Sequence, residues 1–586
     1  PGYAFPQTEA YGVERVEVLK GPASTTYGSA MPGGLVNAVS KRPTEQERGE
    51  VEVLVGSHDR YQLATDVSGP VTEDNSLLYR FVALGRDSET QVVNTKEQRV
   101  YVAPALTWKP TDDTTLTMLT HYQRDPEGGY YGILPTVGTV WSSSAGAIPR
   151  SFNDGDPAFS DFDREQFSVG YEFEHVLNDI WAFRHNLRYL DIDVSTKDIA
   201  TLSLAADGHT INRYALTTDE QTRGVASDLQ AQADFATGMI GHTALFGFDY
   251  KYSDSSQYRL YGATAPTIDY LDPVYGVATS ISLSPFVDQD QTISQSGLYV
   301  QDQLDIGNWN FLVGGRYDAV QTVTDNNRTN VRQTQNDDAF SWKAGAVYNF
   351  ENGIAPYVSY ATSYLPVSGT DFNGDAMDPT TAKQYEVGLK YEPTSFDALF
   401  TLAYFDITQE DVVSQINPNQ RYQTGEVQSK GVEFEAKVAL TSQTNAIANF
   451  TFTDAEVTKS VVNDLGDAPI AIPDMTASLW LDHEFDRGLI NGLTVGGGVR
   501  YVGETVGGYS PNAANASARR IDVPGYTLFD AMLRYDLGVL GNNLENVSAQ
   551  LNVTNLADET YATCLANNFC NYGNGRTVYV SLKYAW

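Results

Sequence analysis

Residues 577–586 read TVYVSLKYAW, and this run decides the fold. Val578, Val580, Leu582, Tyr584 and Trp586 alternate with Thr577, Tyr579, Ser581 and Lys583. In a strand, successive side chains point to opposite faces, so the two sets separate. With the first set toward lipid, the strand presents an apolar band that ends in an aromatic. The opposite register would put Lys583 against lipid, at about 2–4 kcal/mol near mid-bilayer, and this fixes the register. The pattern predicts one strand of a transmembrane β-barrel. A soluble all-β protein, a propeller or sandwich, is the alternative.

The same alternation recurs upstream. Phe311, Val313, Gly315 and Tyr317 alternate with Asn310, Leu312, Gly314 and Arg316, and Ala446, Ala448, Phe450 and Phe452 with Ile447, Asn449, Thr451 and Thr453. Further strands are expected within 51–55, 101–108, 115–122, 357–360, 478–485, 495–502 and 528–535. Short turns such as Asp112-Asp113 and Glu351-Asn352-Gly353 contrast with long polar connections expected over 129–163 and 258–294. Short turns at one rim and long loops at the other describe an outer-membrane barrel. A propeller would instead repeat a shared signature every roughly 40–50 residues, and none is visible. At roughly 24 residues per strand and connection, the chain after Thr44 has room for about 22 antiparallel strands.

Composition agrees. The 586 residues include 36 tyrosines and 49 glycines, which favour strands and tight turns. No run approaches the roughly 18 apolar residues of a membrane helix, which excludes a helical membrane protein but not a barrel. A net charge of −36 argues against a nucleic-acid partner, because phosphate binding needs a basic surface. The two cysteines, Cys564 and Cys570, form an even pair in a short loop, which suits an oxidising compartment. No signal peptide opens the chain, which reads as starting inside a domain.

The first 44 residues break the barrel pattern. Residues 13–19 read as a strand, Lys20-Gly21-Pro22 ends it, and Gly28, Pro32, Gly33 and Gly34 make a turn-rich stretch before residues 35–40. A small piece of this kind ahead of a barrel of about 22 strands suits a plug in the lumen.

Residues 13–43, VERVEVLKGPASTTYGSAMPGGLVNAVSKRP, resemble the second half of the plug of TonB-dependent receptors. Residues 296–305 (SGLYVQDQLD), 552–561 (NVTNLADETY) and the aromatic-ended closing strand resemble barrel segments of the same family. Over nearly the whole chain the resemblance is nearest to ferrichrome-type hydroxamate receptors. Residues 126–135, 383–391, 429–437 and 476–485 and the Cys564/Cys570 loop carry it. The resemblance implies an all-β, 22-stranded transmembrane barrel (45–586) with a partial N-terminal plug in its lumen (1–44). The first half-plug and the TonB box would precede Pro1.

The implied function is binding and import of a ferric siderophore across the Gram-negative outer membrane by a monomer embedded in outer-membrane lipid. A TonB-type inner-membrane transducer would supply the energy. The siderophore itself wraps the iron, so no protein ligand to metal and no cofactor is expected. Aromatic walls with a few hydrogen-bond donors are the usual recipe for such a site. By resemblance Tyr27 lies at the plug apex and Tyr131 on the barrel wall, both contacting ligand; a lipid-interface tyrosine is the other reading of Tyr131. Ile133 and Leu565 stand where ferrichrome receptors carry aromatics, which opens the site to a different siderophore. Arg42 with Glu386 and Glu433 is the implied plug–barrel lock, and Cys564–Cys570 a loop-stiffening disulfide.

Three other functions compete with this one. Neither HExxH nor GxSxG occurs, so the histidines 58, 121, 175, 185, 209, 242 and 483 give no catalytic motif. A passive porin would leave the plug-like segment unexplained. A family member for another ligand, cobalamin or a catecholate, stays open, whereas the FRAP and NPNL motifs of haem receptors are absent.

Overall fold

Alternating strands that end in lipid can satisfy their backbone only by closing on themselves, and this chain does so. The computed structural model describes residues 3–586 except 279, 372, 373, 375, 418, 419, 461–464, 510–519, 567 and 568; the side chains of 414–417, 420, 421, 424, 489, 565 and 566 also lie outside the description. Twenty-two strands pair in chain order into one closed antiparallel barrel. The first, Arg48–Gly56, pairs with the last, Thr577–Ala585, with Tyr579 opposite Gly56 and Ala585 opposite Glu50.

The closing strand has the expected register. Val580, Leu582, Tyr584 and Trp586 are exposed on the outer wall, and Lys583 reaches Glu50 at 3.2 Å. At the seam Gly49 and Trp586 exchange two backbone hydrogen bonds, each 2.9 Å. A β-carbon at residue 49 would run into the Trp586 indole, so the close approach requires glycine there.

Aromatic belts mark the two lipid interfaces. Trp309 and Phe311 stack at 5.5 Å beside Tyr348, and Tyr584 stacks on Trp586, near one rim. Tyr317, Phe340, Trp342 and Tyr385 are exposed farther along the wall. Eight residues separate Trp309 from Tyr317, roughly 26 Å of strand at about 3.3 Å each, the scale of the apolar band.

Turns at the Trp309 rim are short, such as 238–239 and 307–308; connections at the other rim include 129–160, 366–379 and 555–576. The connection expected over 258–294 is much shorter than that. Residues 258–294 are not a loop, because the strands Ile240–Asp269 and Ser284–Ile306 occupy most of that range and only 270–283 connects them. These strands rise well beyond the belt, where water bathes the outer face. Polar residues there satisfy both faces, so the apolar alternation that reveals a strand inside lipid is missing.

The N-terminal segment lies inside the barrel. Val13–Lys20 pairs with Gly34–Ser40 in a two-stranded sheet. Its neighbourhood bonds to Asp66, Arg80 and Arg99 on one arc of wall, to Gln166 and Glu172 on the next, and to Lys251, Lys343, Tyr364 and Glu433 on the rest. A segment this short can reach strands all round a closed cylinder only from within it.

At the long-loop rim the Cys564–Cys570 disulfide staples a hairpin, Ala562–Ala566 with Phe569–Tyr572, and Leu134–Pro135 adds a third strand. The 129–160 loop is not loose. Leu134, Ile148, Phe152, Ile211, Ile268 and Tyr270 form a small buried core beneath it.

Candidate functional site

The apex of the inner segment is built on a single short helical turn, Ser24–Tyr27. Gly28 ends it at φ 77°, a conformation glycine adopts at no steric cost. The wall holds this turn by its backbone and hydroxyls. Lys251 Nζ donates to the Tyr27 carbonyl at 2.6 Å, Lys343 Nζ to Thr26 Oγ1 at 2.8 Å, and Ala30 N–H to the Tyr364 carbonyl at 3.1 Å. Lys251 meets the C-terminal end of the turn, where the free carbonyls carry partial negative charge. Gly28 fits directly against Gln295 and Arg316, and Arg316 is itself buried between Asp249 and Asp318. Gly34 also has a positive φ, 111°, and Gly33 is not among the positive-φ residues.

Ion pairs fasten the rest of the segment. Glu9 accepts from Arg99 at 2.9 Å and Arg86 at 3.2 Å. Burial alone would raise the Glu9 carboxyl, but these two guanidiniums hold it below its ordinary value. Lys41 meets Asp66 at 2.8 Å, and buried Arg80 bridges Asp66 and Glu14.

The expected lock is wired differently. Arg42 binds Glu172, with Nε at 2.7 Å and Nη2 at 2.6 Å, and is bonded to neither Glu386 nor Glu433. Lys20 takes the place assigned to Arg42, donating to Glu433 at 2.8 Å and Glu435 at 2.5 Å. Glu386 instead accepts from the Tyr357 hydroxyl at 2.6 Å and from Gln384 at 2.7 Å. The reason is geometric. Lys20 ends one strand of the inner sheet and Arg42 follows the other, and the two ends face different walls. Two positive residues near these ends were visible in the sequence; which wall each faces was not.

Above the apex, Tyr131 opens onto the long-loop side. The residue is 45% exposed, and its ring lies parallel to Phe162 at 5.3 Å and meets Tyr3 edge-on at 6.4 Å. Together these rings wall a cavity of about 170 Å³ whose other lining includes Glu127, Asp161 and Asp198. The neighbouring Asp154 is fully buried, accepting from the Tyr130 hydroxyl at 2.6 Å and from Thr201. Burial pushes the Asp154 carboxyl above its ordinary value and the Tyr130 phenol well above its own.

Tyr27 does not share this space. It lines a separate cavity of about 230 Å³ inside the barrel with Tyr171, Glu172, Arg188 and Lys251. Ile133 is half-buried between Tyr131 and Leu134 and is absent from both linings, and the Leu565 side chain lies outside the described residues. Tyr3, Phe162 and Asp198 were missed by sequence reading. Phe162 lies just inside a stretch read as loop, and nothing in a lone Asp on a long polar strand marks it out.

A larger depression, about 420 Å³, is lined by carboxylates including Asp163, Glu165, Asp193, Asp219, Asp288 and Asp290. Asp163 and Glu165 alternate with the buried Phe162, Arg164 and Gln166, so this acidic surface belongs to the outer wall. Among the described residues no group of three or more His, Cys, Asp or Glu is arranged to hold a metal ion.

Comparison with known proteins places this architecture. Residues 107–556 match the family described as TonB dependent receptor-like, beta-barrel. The chain is 34% identical over 576 residues to the ferrioxamine B receptor of Salmonella typhimurium (strain SL1344), covering 98% of this chain and 80% of that protein. It is 35% identical over 599 residues to the ferrichrome outer membrane transporter/phage receptor of Escherichia coli (strain K12), covering 97% and 78%. The crystal structure of the siderophore receptor PiuA from Acinetobacter baumannii superposes with a TM-score of 0.86 at 22% identity, covering 98% and 87%, a likeness of fold.

Proposed function

The chain belongs to the TonB-dependent receptor family, and from that membership we propose that it binds a ferric hydroxamate siderophore at its long-loop face and imports it through the barrel lumen. The barrel sits in the Gram-negative outer membrane. The observation that carries the reading is the aromatic cup of Tyr131, Phe162 and Tyr3, set above a lumen that the chain's own opening segment occupies. Aromatic walls suit the largely apolar shell of a hydroxamate complex, and the iron stays cargo, ligated by the siderophore.

In this reading residues 1–44 are the C-terminal half of a plug and residues 45–586 the barrel. A TonB-type transducer of the inner membrane supplies the work of release, since the outer membrane has no ATP. The receptor acts as a monomer and performs no catalysis. Tyr131 contacts the ligand directly, and Tyr27, at the apex, contacts it as it passes the turn.

The test is ligand binding to the purified protein. Ferrichrome and ferrioxamines at sub-micromolar concentration should quench its Tyr and Trp fluorescence. Silence across the hydroxamate panel would remove the hydroxamate assignment.

A further inference from the structure

The cavity beside Tyr131 is too small for a whole ferric siderophore. Small-molecule sites commonly measure about 300–1,000 Å³, and this one holds about 170 Å³. It has the size of an appendage, a short alkyl arm reaching past the iron-bearing core.

Its chemistry is one-sided. Three carboxylates line it, Glu127, Asp161 and Asp198, against one cation, Lys197. Lys197 is already turned toward Asp161, Nζ to Oδ2 3.6 Å. Asp198 accepts from the backbone N–H of Ile199 and forms no ion pair among the described residues. Its neighbour across the cavity, Tyr131, presents a ring face with Phe162 stacked behind it. The nearby guanidiniums are engaged elsewhere. Arg164 lies over the Phe162 ring at 5.3 Å and donates to the Tyr3 carbonyl at 3.1 Å, and Arg259 is paired with Glu220 at 2.6 Å. Burial, and then the neighbouring Asp154, push the Asp198 carboxyl up to about 7, and a cation seated in the aromatic-walled cavity would favour its charged form. Ring faces and carboxylate together form the usual receptor for an alkylammonium.

We propose that this cavity receives an alkylammonium arm of the ligand, with Asp198 as its counter-charge, so that the protein selects cationic ferric hydroxamates over neutral ones of the same skeleton. The inference rests on the siderophore reading above and narrows it. A charge-assisted hydrogen bond made in a shielded pocket is a large discriminator, on the order of tenfold or more in affinity.

The decisive experiment compares two probes on the purified protein: ferric desferrioxamine with its terminal amine free, and the same complex with that amine acetylated. Fluorescence quenching gives both affinities, with ferrichrome as a third, uncharged probe. The free-amine complex should bind about tenfold tighter or more, and Asp198→Asn should bring the pair within about twofold. Equal affinities for the two desferrioxamine complexes would overturn the inference and leave the siderophore reading standing. Failure of all three probes would instead remove the hydroxamate reading itself. A preference that survives in Asp198→Asn would reject Asp198 as the counter-charge. If the Asp198→Asn protein does not fold, the probe pair on the parent chain still decides.

Discussion

Arg42 grips Glu172 through two guanidinium nitrogens, at 2.7 and 2.6 Å, across the boundary between the inner segment and the barrel wall. Both side chains are partly exposed, 40% and 35%, so solvent screens much of the attraction. A double-mutant cycle on Arg42→Ala and Glu172→Ala, read by urea unfolding, should return a coupling of about 0.3–1 kcal/mol. The same cycle on Arg42 and Glu386 should return none. A coupling to Glu386 would restore the wiring that the sequence suggested.

Lys20 lies between Glu433 and Glu435. Reversing its charge in Lys20→Glu places three carboxylates together and should loosen the inner segment from that wall. In planar bilayers the variant should pass more ionic current than the parent protein. Unchanged current would show that the segment is held without this contact.

Tyr131 should contribute through its ring and not its hydroxyl. Tyr131→Ala should weaken siderophore binding by about 1–3 kcal/mol, whereas Tyr131→Phe should leave most of it intact. Unaltered affinity in the alanine variant would return Tyr131 to a purely structural place in the stack on Phe162.

The Arg150–Asp558 pair joins two loops of the long rim, with Arg150 Nη2 2.8 Å from both carboxylate oxygens. Arg150 first, and then the Arg576 N–H, hold Asp558 down at about 2. Because the folded value is depressed, the charged carboxylate favours the joined loops above the ordinary range near 3.8, and that contribution drains away as pH falls through about 2. The hydrogen-exchange protection factor at residues 555–558, corrected for the intrinsic pH dependence of amide exchange, should therefore change little from pH 7 to pH 5. Opening already complete at pH 5 would contradict the assignment.

Reducing Cys564–Cys570 should loosen two places at once, the hairpin at 562–572 and the Leu134–Pro135 edge paired with it, since Cys570 sits opposite Leu134. The barrel should keep its thermal transition, because none of its ladders runs through the hairpin. Faster exchange confined to 562–572 would show that the Leu134–Pro135 edge is held independently.

The barrel was legible because lipid imposes a strict rule: at Val580, Leu582, Tyr584 and Trp586 the outer face must be apolar, and every second residue says so. Above the interface that rule lapses. The strand Ile240–Asp269 therefore reads as loop beyond Tyr258, although it continues for several more residues. The site was legible only in part. Tyr131 was singled out through a motif, but its stacking partner Phe162 and the carboxylate of Asp198 come from other strands and meet it only in the folded barrel. Arg42 was expected to meet Glu386 and Glu433 and meets Glu172 instead, since sequence carries no bearing on which wall a strand end faces.

The seam at Gly49 and Trp586 also governs how the molecule can be made. Ser57 and Val578, which bond to each other at the far end of the same strand pair, are 521 positions apart in the chain. Contacts so distant in sequence are the slowest to form, and until this one exists both terminal strands present raw, unpaired edges. Maturation must therefore end in a single late zippering event, and a nascent barrel needs shelter from sister chains until it happens.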